Sequence, residues 1–147
     1  MIKNITKIIC CIGVIVFTGC ASGPIDKLPI IADQKLSGEV IVLRISNIIG
    51  ATNSYIITLN GKDIFGIRSG QYTTFKLTEG EHYIGIKCFG GWSPTWKEDS
   101  VKFTVTRNSN SYFIVSPNLS CAIIKPIVET EAQKIIKNSK YVSMEQQ

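Results

Sequence analysis

The sequence predicts a mainly β fold, an antiparallel β-sandwich of seven to eight strands with one short C-terminal α-helix. Three observations predict it. Between residues 38 and 128 the chain is a succession of short runs rich in Val, Ile, Thr, Tyr and Phe, bounded by turn residues. Residues 101–106 alternate, with Val101, Phe103 and Val105 on one side and Lys102, Thr104 and Thr106 on the other, as a strand with one wet face does. Helical spacing comes only afterwards, where Ala132, Ile135 and Ile136 share a face.

The elements follow in order. Residues 39–46 (Glu-Val-Ile-Val-Leu-Arg-Ile-Ser) form a near-continuous apolar run suited to a central strand. Residues 55–59 and 62–67 flank Asn60-Gly61, the strongest short hairpin signal in the chain. Strands at 71–77 and 81–88 meet at the turn Glu79-Gly80. After 101–106, a polar turn at 108–111 leads into a strand at 112–116. The last apolar run, 121–128, contains Pro126, which places it at a sheet edge or bulge because proline donates no ladder hydrogen bond. Thr130-Glu131-Ala132-Gln133 reads as a capping box opening a helix at 130–138. Most connections have hairpin length; the stretch from Phe89 to Ser100 does not, and reads as a long irregular loop.

The N-terminus carries a different signal. Lys3 and Lys7 precede an apolar run at 8–17, and Thr18-Gly19-Cys20 closes it. A basic n-region, a short h-region and small residues at the junction make a secretory signal peptide. The cysteine at the junction makes it resemble a bacterial lipoprotein signal, although Phe17 stands where Leu or Val is usual. That resemblance implies cleavage before Cys20, a diacylglycerol on its sulfur and acylation of its new amine. An uncleaved anchor is the competing reading, but the run is short of the ~20 residues a spanning helix needs. Two or more acyl chains suffice for stable anchoring, so the partner at this end is a membrane. Ala21 follows the cysteine, not the aspartate that retains enteric-type lipoproteins at the inner membrane. The expected location is therefore the outer membrane, facing the periplasm in a Gram-negative cell. The expected organisation is a signal peptide at 1–19, a lipidated cysteine with a flexible tether at 20–37, a sandwich domain at 38–140 and a tail at 141–147.

Removing residues 1–19, which hold two lysines and no acid, lowers the formal charge from +5 to +3. A mild, unclustered excess does not describe a nucleic-acid binder. Cys10 and Cys11 leave with the signal and Cys20 is consumed by lipid, so Cys88 and Cys121 remain in an oxidising compartment. A bridge between them would close a loop of about 33 residues, worth ~3–4 kcal/mol on chain entropy. Two buried thiols or a metal site are the alternatives, though one histidine in the whole chain leaves zinc short of ligands.

No catalytic motif stands out, and neither a cofactor nor a metal is expected. His82 shares a strand face with Cys88 but lies six residues away, ~20 Å along a strand, far beyond the ~3 Å a base needs to reach a nucleophile. An enzyme would need His82 and two carboxylates to converge on one cleft. The better candidate is the stretch at 89–97, where Trp92, Trp96 and Lys97 form a prospective binding loop. Exposed tryptophans there suit a glycan, a peptide, a partner protein or a membrane interface. The alternative is that one or both rings fold back to cap the sandwich. A structural or protein-interaction role is expected first, and a carbohydrate- or peptidoglycan-binding module using Trp92, Trp96 and Tyr55 second.

Four features in fixed order carry a family resemblance: the strand Glu39-Val40-Ile41-Val42-Leu43-Arg44; the hairpin Leu59-Asn60-Gly61-Lys62; Gly70-Gln71-Tyr72 leading to Glu79-Gly80-Glu81-His82; and the late Ser111-Tyr112-Phe113. Over residues 38–138 the chain resembles the bacterial lipoprotein domain catalogued as domain of unknown function 2846. Leu43-Arg44 stands where Tyr-Arg is usual in that domain, Glu79 replaces a proline, and Asn108 occupies the place of a late glycine. The resemblance implies a β-sandwich exported to the cell envelope, a packing role for His82 at the start of a strand, and no established reaction.

Overall fold

In the computed structural model the described residues are 22–29, 31, 33–48, 51–90 and 95–144. They form ten strands and one helix: β1 (Gly23–Pro24), β2 (Ser37–Arg44), β3 (Tyr55–Leu59), β4 (Lys62–Ile67), β5 (Gln71–Thr78), β6 (Gly80–Gly90), β7 (Thr95–Val105), β8 (Asn110–Pro117), β9 (Ala122–Ile127), α1 (Glu129–Ile136) and β10 (Lys140–Tyr141). Eight strands have five or more residues, matching the predicted number. Two five-stranded sheets result, β1–β4–β3–β6–β7 (sheet A) and β10–β5–β2–β8–β9 (sheet B).

The apolar runs explain the layering. In β2, Val40 and Val42 join the core shared with Ile57, Phe65, Ile84, Ile86 and Val115, while Ile41 and Leu43 point the other way into a second cluster with Tyr112 and Ala132. Residues of opposite parity are thus both buried, because β2 lies at the centre of sheet B with α1 over its outer surface. Helix α1 covers that surface with Ala132, Ile135 and Ile136, the stripe legible from its spacing.

The hairpin at Asn60-Gly61 forms as predicted. Both residues have positive φ (50° and 80°), as a two-residue primed turn requires. Asn60 adds a tie to the neighbouring strand, its Oδ1 accepting from the Tyr83 N–H at 2.9 Å. Pro126 lies on β9, the edge strand of sheet B.

Four expectations are corrected. First, β2 pairs in parallel with β8, from Glu39↔Asn110 to Arg44↔Val115, because the chain crosses between sheets before returning beside its first long strand. Second, the helix starts one residue early and has no capping box. Its N-cap is Val128, with no side-chain cap, and Glu129 in the first turn accepts from the Tyr112 hydroxyl at 3.1 Å. Third, the stretch from Phe89 to Ser100 is not one irregular loop. Strands β6 and β7 pair out to Phe89↔Trp96 and Gly90↔Thr95, so Trp96 sits on a strand. Its polar run Lys97-Glu98-Asp99-Ser100 hid an edge strand in which Glu98 and Ser100 are exposed and Lys97 and Asp99 half-buried.

Fourth, residues 20–37 are not a tether throughout. Gly23 and Pro24 pair with Gly66 and Phe65 of β4, the Ile25 N–H donates to the Ile64 carbonyl at 2.9 Å, and Leu28 packs on the core. The far end is likewise tied down: Lys140 and Tyr141 lie parallel to β5, Tyr141 is 5.3 Å from the Tyr72 ring, and Val142 and Met144 reach the core.

Candidate functional site

The two outer faces of the sandwich differ. On sheet B, α1 packs over β2 and β8 and leaves Ile123 of β9 and Tyr141 of β10 exposed at the two edges; on sheet A the exposed large side chains are aromatic and sit on β6 and β7, with Tyr83 at 52%, Phe89 at 57% and Trp96 at 60% of their free accessibility. Alternation places Glu81, Tyr83, Gly85, Lys87 and Phe89 of β6 on this outer face, beside Trp96, Glu98, Ser100 and Lys102 of β7 and Ile56 and Thr58 of β3.

One end of the face is apolar. Ile25, Asn53, Ser54, Ile56, Gly66, Phe89 and Trp96 line a groove of about 410 Å³. Phe89 and Trp96 are cross-strand partners with ring centroids 5.5 Å apart, tilted by 58°, a favourable arrangement of two quadrupoles. The other end is polar. Thr58, Asn60, Gly61, Glu81, His82, Tyr83, Glu98 and Ser100 line an open groove of about 630 Å³. Gly85 pairs with Thr58 and Ser100 of this groove: a Cβ there would overlap Thr58 Oγ1 and sit 3.0 Å from the Asp99 carbonyl oxygen, so only glycine fits.

Charged and polar pairs cross the same face. Lys87 Nζ lies 2.7 Å from Asp63 Oδ1, and this hydrogen bond raises the lysine pKa, opposed by burial and aided by the charges of Asp63 and Glu98. Lys102 pairs with Glu81 at 2.7 Å, and Thr58 Oγ1 donates to Glu98 at 3.2 Å.

The polar groove brings together His82, Glu81 and Glu98, the combination an enzyme would require. Their geometry points elsewhere. Glu81 and His82 are successive strand residues and face opposite ways. Both imidazole nitrogens are engaged, Nε2 with the Thr78 carbonyl at 3.0 Å and Nδ1 with the Asn60 amide at 3.2 Å. The carbonyl fixes Nε2 as the protonated nitrogen, leaving Nδ1 to accept from Asn60. The ring packs 5.9 Å from Phe103, at the rim of the sandwich. Among the described residues no group of three or more His, Cys, Asp or Glu side chains is placed to hold a metal ion.

The other candidates fall as follows. Cys20 and Trp92 lie outside the described residues. Cys88 and Cys121 are joined, with Cα atoms 5.8 Å apart, and the bridge ties β6 of sheet A to the start of β9 in sheet B. Beside it, Asp99 Oδ2 accepts from the Ile124 N–H at 2.9 Å. Lys97 does not share a surface with Trp96: it pairs with Cys88 and faces the opposite side of β7. Tyr55 is no ligand platform. It is 4% exposed, with the Arg44 guanidinium carbon 3.7 Å from its ring centroid and its hydroxyl donating to the Cys121 carbonyl at 3.3 Å. Arg44, 1% exposed, also donates to the carbonyls of Asn53 (2.6 Å) and Ile67 (2.9 Å); burial lowers its pKa, and the coulombic effect of Tyr55 raises it.

Sequence reasoning missed Ile25, Ile56 and Tyr83 as parts of an exposed face. The period-two pattern of residues 81–89 held the signal for Tyr83; for Ile25 nothing in the sequence foretold β1. Comparison with known proteins finds no matching family model, no matching curated protein and no matching solved structure.

Proposed function

We propose that this chain is a lipid-anchored protein of the cell envelope, held by a lipid on Cys20 at the outer membrane and facing the periplasm in a Gram-negative cell. Its role in this reading is interaction, not catalysis, in keeping with its resemblance to domain of unknown function 2846. The observation that carries the interaction role is the asymmetry of the sandwich: α1 covers the centre of sheet B, while sheet A has no such cover among the described residues and presents Tyr83, Phe89 and Trp96. Large exposed aromatics on a rigid face are the usual anchors of binding surfaces. Engagement of both His82 nitrogens and the Lys102–Glu81 pair support structural roles for the titratable groups.

Photo-crosslinking in intact cells tests this reading. A benzophenone side chain in place of Tyr83 should give discrete crosslinked species, and one in place of exposed Lys125 on β9 should not. Equal or absent crosslinking at both positions contradicts an interaction role for sheet A.

A glycan ligand is the second reading, favoured by the exposed Phe89–Trp96 pair beside the polar groups of Asn53 and Ser54. Co-sedimentation with purified peptidoglycan that Trp96→Ala abolishes favours it; no retention of the wild type leaves the protein partner.

A further inference from the structure

We infer that the apolar end of sheet A is a membrane-contacting surface, seated on the bilayer that holds the lipid of Cys20. This rests on the lipid-anchor reading and adds to it an orientation. Three residue steps separate Cys20 from Gly23, ~10 Å of chain at full extension. Gly23 is fixed by pairing with Gly66, so the free span ends there. Had residues 20–37 all been tether, the domain would have stood up to ~60 Å away.

The headgroup zone of a leaflet is roughly 5–8 Å deep outside a ~30 Å hydrocarbon core, so a leash of ~10 Å holds β1 against it. Ile25, the next residue after β1, is 48% exposed and lines the same groove as Phe89 and Trp96. The bilayer surface is therefore the apolar partner nearest to this groove. Tryptophan belongs to the aromatic belt at the headgroup level, and Ile25 and Phe89 add apolar area beside it. Glu81 and Glu98 line the groove at the other end, where an anionic surface would repel them least. In this orientation the polar groove stays in water, open to a partner.

The test uses full-length protein purified from membranes and reconstituted in vesicles of phosphatidylethanolamine and phosphatidylglycerol, carrying Trp92→Phe so that Trp96 is the single fluorophore. Trp96 emission should shift to the blue, fall with acyl-brominated phospholipid and resist iodide. Ile25→Glu should restore iodide access while the protein still floats with the vesicles. A protein that carries the lipid by mass and floats, yet leaves Trp96 open to iodide and untouched by bromine, overturns the docking and leaves the anchor standing. A protein that neither floats nor carries the lipid mass overturns the anchor, and the docking with it. Trp96 shielded by added peptidoglycan and not by vesicles assigns the groove to a glycan and also overturns the docking.

Discussion

At the scale of single residues, Arg44 shows how one buried cation organises the end of the sandwich. It closes β2, reaches the carbonyl of Ile67 at the end of β4 and that of Asn53 before β3, and covers the ring of Tyr55. Tyr55 in turn reaches the carbonyl of Cys121 beside the disulfide. Hydrogen bonds from a charged donor contribute ~1.5–3 kcal/mol each to stability, and a desolvated cation–π contact ~2 kcal/mol, not additively. Arg44→Ala should therefore lower the unfolding free energy by about 2–4 kcal/mol in urea titrations. A loss under about 0.5 kcal/mol would be the cost of an ordinary surface site and would contradict this role. His82, the single histidine of the chain, is held by Thr78 and Asn60.

At the scale of elements, the Asn60-Gly61 hairpin is the part most directly specified by local sequence, since its backbone needs positive φ at both turn residues. Gly61→Ala should cost about 1–2 kcal/mol, the penalty of the left-handed region for an L-residue, read as a lower urea midpoint at unchanged slope. A neutral Gly61→Ala would mean that the turn is of another type. Strands β3, β4 and β9 were legible because their neighbours bury one face or because glycine and proline punctuate them. The N-terminal half of β7 was not. Burial alternates there, with Lys97 and Asp99 half-buried and Glu98 and Ser100 exposed, but all four are polar, so no hydrophobic period shows, and the strand is fixed by pairing with β6. Strand β1 was illegible for a related reason: two residues carry no period, and the ladder to β4 is a tertiary fact. The candidate site inherits both gaps. Trp96 was picked out from the sequence, but its neighbours Ile25 and Phe89 gather around it only once β1 and the extended hairpin are in place.

At the scale of the whole molecule, sheet A is tied to sheet B at one corner by the Cys88–Cys121 bridge, the Asp99–Ile124 hydrogen bond and the Tyr55–Cys121 hydrogen bond. The bridge spans a sequence separation of 33 residues. Replacing both cysteines by serine should lower stability by ~3–4 kcal/mol, and neither thiol of the native protein should react with maleimide before reduction. Prompt labelling of the folded, unreduced protein would contradict the bridge. On the lipid-anchor proposal, the pairing of β1 with β4 would shorten the leash from residues 20–37 to residues 20–23. Everything in that picture depends on Cys20. The direct measurement is the mass of the N-terminal peptide of the protein isolated from membranes, with palmitate labelling of wild type and Cys20→Ser in parallel. The lipoprotein reading predicts a mature chain beginning at Cys20, carrying diacylglycerol and an N-acyl chain or a free amine, with label and processing both lost in Cys20→Ser. A processed, unlipidated and soluble product would contradict it.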